Sequence, residues 1–196
     1  MLAFRVGNEI TLQLLGLEHT YPLFQCLMTN RVHLAKWVEW VRRLQRVEEV
    51  ESFILESWER AKEGLEYQFG IWWQGRLVGV ISVHSIDRYT YSSEVGYWLA
   101  KSAEGNGIVT QAVHMVLQFL FIEQHLNRVE IRCAGSNTRS QAVPKRLHFR
   151  LAGVLREAER VGGRLEDLYI YECLKRDWLK RNRGGEARND LYHLHC

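Results

Sequence analysis

At 196 residues the chain is long enough for one compact α/β domain with a full core and short for two. Its 46% hydrophobic and 25% charged residues are ordinary for a globular protein, and a net charge of +3 argues for no nucleic-acid partner. No stretch approaches the ~20 apolar residues of a bilayer span, and the opening segment lacks the apolar core and small-residue cleavage site of a signal peptide.

The segment EITLQLL (9–15) alternates polar and apolar residues and predicts one opening strand. Two or three helices follow, to about Gly64. In them Trp37, Trp40, Val41 and Leu44 recur at helical spacing, and VEEVESFILESWERAKEG ends on Gly64 as a stop signal. YQFGIWWQ, LVGVISVHS and SSEVGYWL predict three strands in an antiparallel meander, the first two joined by a tight turn at Gln74 and Gly75. A glycine-bearing loop, AEGNG, leads to an apolar helix over about 108–124. Then come a strand (RVEIRCA), a helix over about 137–148, and two last strands near 151–159 and 168–174. The pattern predicts a mixed, mostly antiparallel sheet of about seven strands covered by helices on both faces. Residues 1–178 form the expected single domain and 179–196 a basic, polar tail.

The four cysteines, Cys26, Cys133, Cys173 and Cys196, show no metal-ligand spacing. Cys133 and Cys173 lie in apolar runs and are expected to be reduced core thiols of a cytoplasmic protein. His193, His195 and Cys196 lack further ligands in sequence, so no metal site is expected.

Chemistry concentrates in EVGYWLAKSAEGNGIVT (94–110), where a strand runs through a loop with Gly105 and Gly107 into a helix. The first amides of a helix have no intrahelical partner, and glycines let an anion approach the backbone closely. The segment is therefore a candidate pyrophosphate site, although two glycines also suit an ordinary strand–helix turn.

GYWLAKSAEGNGIVTQAV followed by NRVEIRCAGSNTRSQAVPKRLHFRLAGVLREAE resembles the GNAT N-acetyltransferases, specifically their RimJ/RimL-type ribosomal-protein N-acetyltransferases. The resemblance spans about 9–178 in element order and is strongest over 68–159. It implies the GNAT fold, acetyl-CoA as cosubstrate, and Gly105, Asn106, Gly107 and Ile108 at the coenzyme pyrophosphate. The family pattern opens on Gln or Arg where this chain has Ser102, which removes one long side chain and keeps the amide cradle. It also implies that the strand through Val95, Gly96, Tyr97 and Trp98 parts from its neighbour at a bulge and meets the pantetheine arm with freed backbone groups. One freed amide would face the developing oxyanion.

By the same resemblance Asn137 contacts the pantetheine arm and Ser140 lies near the coenzyme sulfur, where a hydroxyl can protonate the leaving thiolate. Asn137 is also a good helix N-cap, and Ser140 an ordinary first-turn serine. Pro144 removes the amide that would bond the Ser140 carbonyl, and His148 reads as a C-terminal cap. A general base is required to neutralise the acceptor amine. Glu159 stands where the family has a glutamate proposed for that role. Glu94, at the start of the coenzyme strand, is a rival or a substrate contact, and His84 a weaker rival. Trp37 and Trp40 resemble the acceptor-side segment, and both also suit a core helix.

The resemblance thus implies transfer of acetyl to a protein N-terminal α-amine, with a ribosomal protein as the acceptor partner. A small amine such as a polyamine, antibiotic or toxin is the alternative acceptor, and an acyl-CoA sensor without catalysis is a third reading. A homodimer would be the commonest oligomer.

Overall fold

The first strand pairs with the second through a tight turn at Gly7, whose φ of +64° suits glycine. The computed structural model describes residues 2–182. β1 (Ala3–Val6) and β2 (Ile10–Leu14) form this hairpin, followed by β3 (Tyr67–Trp73), β4 (Arg76–Asp87), β5 (Ser92–Leu99), β6 (Arg128–Ala134), β7 (Arg150–Val161) and β8 (Arg164–Leu174). The sheet is eight-stranded, in the order β1-β2-β3-β4-β5-β6-β8-β7, one strand more than the seven expected. The extra strand is β1, whose four residues are too few for alternation to be read. The β3–β4 turn has Gln74 and Gly75 both at positive φ (51° and 76°), as a two-residue hairpin of inverted twist requires.

The helices are α1 (Thr20–Thr29), α2 (Arg31–Leu34), α3 (Glu39–Arg43), α4 (Val47–Lys62), α5 (Ile108–Gln118), α6 (Thr138–Arg146) and α7 (Lys175–Asn182). Trp37 and Trp40 do not share one helix, contrary to the periodicity. α2 ends at Leu34, residues 35–37 turn, and Val38 is extended before α3. Side chains supply what an unbroken helix would have satisfied: Arg42 Nη2 donates to the Ala35 carbonyl (2.9 Å) and Arg31 Nη2 to that of Arg42 (2.8 Å). α4 begins with the Arg46 amide donating to Glu49 Oε1 (2.9 Å) and stops at Gly64, φ +69°.

The α5 segment is α-helical only to Gln118. Residues Phe119–Glu123 form a wider π turn instead of continuing the expected helix. The wider turn places Phe119 against Phe4 and Tyr67 (centroids 5.3 Å from each) and Phe121 against Trp178 (5.7 Å). α7 carries regular structure four residues past the domain end expected at 178. The remainder of the expected tail, with His193, His195 and Cys196, lies outside the described residues.

Two apolar layers sandwich the sheet. Phe69, Ile71, Ile81, Val83 and Val95 pack against α5 through Ile108, Ala112, Val113 and Val116. On the opposite face Leu77 and Val80 meet Leu23 and Leu27 of α1, Val41, Val50 and Ile54. Burying each such side chain is worth about 1.5–3 kcal/mol, so the two layers hold the helices to the sheet. Among the described helices none is long and apolar enough to cross a membrane.

Candidate active site

β5 is antiparallel to β4 along most of its length but parallel to β6 over only three residues, Ser92↔Arg128, Ser93↔Val129 and Glu94↔Glu130. Beyond Glu94 the two strands part, while β6 stays paired to β8 as far as Ala134. A wedge therefore opens beside Val95, Gly96, Tyr97 and Trp98, with backbone polar groups on the β6 side of β5 released from ladder pairing. The root of the wedge is clamped by ion pairs: Arg132 joins Glu94 (3.2 Å) and Glu130 (2.9 Å), and Arg128 joins Glu130 and Glu172 (2.9 Å). Glu94 is thus tied to Arg132 at the point of parting.

The glycine loop stands at the far end of the same strand. Gly105 and Gly107 have φ of +84° and +71°, a conformation few side-chain-bearing residues adopt, and Gly107 is the residue from which α5 starts. A Cβ on Gly105 would meet nothing within 4 Å, so the loop is open on its outer side. Asn106 shapes it from within, donating to the carbonyls of Ala103 and Glu104 (3.2 Å each). Glu104 ties the loop to Arg139 of α6 and to His33 (3.3 Å), and the Lys101 amide donates to Asn30 Oδ1 (3.0 Å). Arg146 reaches from α6 to Thr110 Oγ1 in the first turn of α5 (2.7 Å). First-turn amides, a left-handed glycine and nearby arginines suit a polyanion such as a pyrophosphate.

Inside the wedge three side chains meet. Tyr97 donates its hydroxyl to the Ser140 carbonyl (2.8 Å), Ser140 Oγ lies 3.4 Å from the phenol oxygen, and Cys133 Sγ is 3.2 Å from Ser140 Oγ. Asn137 caps α6 by accepting from the Ser140 amide (3.1 Å). Burial pushes both the Tyr97 phenol and the Cys133 thiol up, so both keep their protons near neutrality. Cys133 was expected as a core thiol; it is buried, and it also faces this cluster. Gln141 anchors α6 to the end of β6, donating to the carbonyls of Ala134 (3.1 Å) and Gly135 (2.9 Å).

On the other side of the sheet a cleft of about 180 Å³ runs between α1, α3, α4 and the β3–β5 strands. Trp40, Phe53 and Trp98 form its aromatic walls, and Gln68, Ser82 and His84 its polar floor. It reaches Gly96 and Tyr97, so cleft and wedge meet at those two residues. Trp40 stacks on Phe53 (centroids 5.5 Å, 24° between planes). Trp37 is not part of the lining; its ring lies under Lys36 Nζ (4.3 Å).

The wedge brings together Val95 to Trp98, Ser140 and Asn137, and the glycine loop extends it. Glu159 stands apart from the cleft lining, exposed on β7, opposite Glu166 and beside a register shift. Its Oε1 accepts from the Arg160 amide (3.1 Å). Glu166 is held below the usual carboxylate range by hydrogen bonds from Ser136. Glu66, Gln68 and Ser82 were not singled out from sequence. Their signal was the polar residues of two otherwise apolar strands, Gln68 in YQFGIWW and Ser82 and His84 in LVGVISVHS, which share one face of the sheet.

The model of the Acetyltransferase (GNAT) domain matches residues 9–150. Over 91% of its length the chain is 34% identical to the Bacillus subtilis (strain 168) protein named "Putative ribosomal N-acetyltransferase YdaF", covering 98% of it. It is 28% identical to the ribosomal-protein-serine acetyltransferase of Escherichia coli (strain K12), covering 85% of this chain and 93% of that one. Among solved structures it superposes on RimL, a ribosomal L7/L12 alpha-N-protein acetyltransferase in complex with coenzyme A, with a TM-score of 0.85 and 25% identity. That match covers 88% of this chain and 97% of the other. The microcin C7 self immunity acetyltransferase MccE, in complex with acetyl-CoA and AMP, matches with a TM-score of 0.82 and 29% identity over 86% of this chain and 94% of the other.

Proposed function

This chain belongs to the GNAT acetyltransferase family, and we infer from that premise that it transfers acetyl from acetyl-CoA to the α-amine of a protein N-terminus. It is an acyltransferase enzyme, and relatives named as ribosomal-protein acetyltransferases cover nearly its whole described length. The observation that carries the reading is the meeting of the wedge and the cleft at Gly96 and Tyr97. Two chemically different partners can approach one point from opposite sides of the sheet, as a direct transfer without a covalent enzyme intermediate requires.

The residues fit acetyl-CoA as cosubstrate. The glycine loop and the first turn of α5 would take the pyrophosphate, and the freed edge of β5 from Val95 to Trp98 the pantetheine amides, with Asn137 adjacent. Ser140 would hydrogen-bond the sulfur and return a proton to it, and Tyr97 stands beside it to support that proton. Trp40 walls the acceptor side. The protein would act in the cytoplasm, where ribosomal proteins are made. The family resemblance implies Glu159 as the base, and His84 on the polar floor of the cleft is its rival.

The test is mass spectrometry after incubation with acetyl-CoA and a panel of ribosomal proteins, N-terminal peptides and small amines. An acetyl group on a protein N-terminus, formed more slowly by Ser140→Ala, supports the reading. Acetylation of small amines alone replaces it with a second reading, favoured by the Trp40–Phe53 stack and the likeness to a microcin self immunity enzyme. In that reading the aromatic cleft takes the flat ring of an aminoacyl toxin.

A further inference from the structure

We propose that His84 accepts the proton of the acceptor amine and that Glu66 positions it. This rests on the N-acetyl transfer inferred above. His84 stands on β4, on the sheet face that forms the cleft floor, opposite Glu94 and one step from Gly96 across the strand pair. A Cβ built on Gly96 would lie 3.6 Å from His84 Nε2, so this imidazole edge borders the spot where cleft and wedge meet. Glycine at 96 keeps the space in front of Nε2 free for an amine.

Behind the ring, Nδ1 is 3.8 Å from Glu66 Oε1. That separation is longer than a hydrogen bond, as catalytic contacts often are in the absence of substrate. Glu66 is held in place: Arg60 Nε donates to Oε2 (2.6 Å) and Gln68 Nε2 to Oε1 (2.7 Å). Gln68, 2% exposed, in turn accepts from Ser82. A chain of side chains from α4 through β3 to β4 therefore sets where the carboxylate sits behind the imidazole. A carboxylate on the Nδ1 side orients the ring so that Nε2 faces the Gly96 edge of the cleft.

Glu66 faces His84 from the β3 side with Arg60 of α4 beyond, and Glu94 stands opposite on β5, engaged by Arg132. The His84 side chain is 41% exposed, so it can pass its proton to water after each turnover. Glu159 is not among the residues that line the cleft, and its Oε1 accepts from the Arg160 amide at 3.1 Å.

In the transfer, an ammonium N–H proton moves to Nε2, and the freed nitrogen lone pair forms the C–N bond to the acetyl carbon. The C–S bond breaks, and its electron pair goes to sulfur. The second amine proton ends on the thiolate, relayed by the Ser140 and Tyr97 hydroxyls, and the Nε2 proton leaves to solvent.

The test compares wild type, His84→Gln, His84→Ala, Glu66→Gln, Glu66→Asp and Glu159→Gln. The readouts are kcat and the acceptor KM on whichever amine wild type acetylates, acetyl-CoA affinity by calorimetry, and thermal midpoint. His84→Gln is expected to lower kcat by about 100-fold with the acceptor KM held, because general-base catalysis is worth about 10²–10⁴. Acetyl-CoA affinity and thermal midpoint should hold. Added imidazole should restore part of the activity of His84→Ala. Glu66→Gln should cost about tenfold in kcat with the acceptor KM held, and Glu66→Asp should recover part of that loss, as expected of a residue that orients the base and does not touch substrate. The proposal is overturned if His84→Gln leaves kcat unchanged, including when only the acceptor KM rises, or if Glu159→Gln alone lowers kcat as far. If wild type acetylates small amines and no N-terminus, the acceptor class falls while His84 is tested on that amine. If wild type acetylates nothing, both fall.

Discussion

Tyr97 in β5 and Ser140 in the first turn of α6 are joined across the wedge, the phenol donating to the Ser140 carbonyl at 2.8 Å. Pro144, four residues on, has no amide to claim that carbonyl, so the helix leaves it to a side chain of the sheet. The bond fixes how far α6 stands from β5. It also places two hydroxyls side by side, 3.4 Å apart.

If those hydroxyls relay one proton, their removal should not add. Tyr97→Phe and Ser140→Ala are each expected to lower kcat by about tenfold or more, and the double variant by little more than the worse single one. Thiol release followed on all four proteins gives the coupling. Independent, multiplying losses would separate the two roles.

Gly107 starts α5 at φ +71°, and a Cβ there would meet only Gln111 Nε2 at 3.8 Å. Gly107→Val therefore meets conformational strain and little clash, at a cost of about 1–3 kcal/mol. The strain is relieved by rotating the loop away from the geometry that aims its amides outward. Acetyl-CoA affinity measured by calorimetry should fall at least about tenfold, a loss of ~1.4 kcal/mol in binding. Unchanged affinity would remove the pyrophosphate from this loop.

Gly79 responds differently, because its constraint is a close neighbour. A Cβ there would lie 2.4 Å from the Trp98 carbonyl oxygen and 3.0 Å from Leu99 Cδ1, across the β4–β5 ladder. Backbone cannot yield as a side-chain tip does. Gly79→Ala should cost about 3 kcal/mol, at the upper end for overpacking, and weaken coenzyme binding by shifting β5. Urea unfolding measures the first effect and calorimetry the second.

Acid should loosen the fold through His19. It is 5% exposed, accepts the Gly16 amide at Nδ1 (2.9 Å) and packs against Trp72 (5.4 Å between centroids). Burial holds it below the usual histidine value of 6.5, with Glu18 opposing in part, and burial lowers His114 likewise. The unfolded chain therefore binds these protons first. Stability is full above pH 6.5 and falls as pH drops below it, by up to about 1.4 kcal/mol per pH unit for each histidine until the folded state also protonates. His19→Gln should flatten that slope in thermal midpoints taken along a pH series. An unchanged slope would assign the acid sensitivity elsewhere.

What the sequence determined by itself are features written in neighbouring residues. The stop at Gly64, the turn at Gln74 and Gly75, the Asn137 cap, the His148 terminus at φ +58° and the glycine loop before α5 each follow from local backbone preference. The β3–β5 meander follows from alternation. Short or interrupted elements escaped: β1 is too brief for a period, and in the run Trp37, Trp40, Val41 and Leu44 the first lies before the break at Val38 and the other three in α3 or at its end, so the spacing is not that of one helix. Tertiary structure alone decided the rest. That β5 leaves β6 after Glu94, that Cys133 meets Ser140, and that Glu66 stands behind His84 depend on strands and helices brought together from distant parts of the chain. Local propensity carries no information about such distances, because they are set by how the two apolar faces of the sheet are covered.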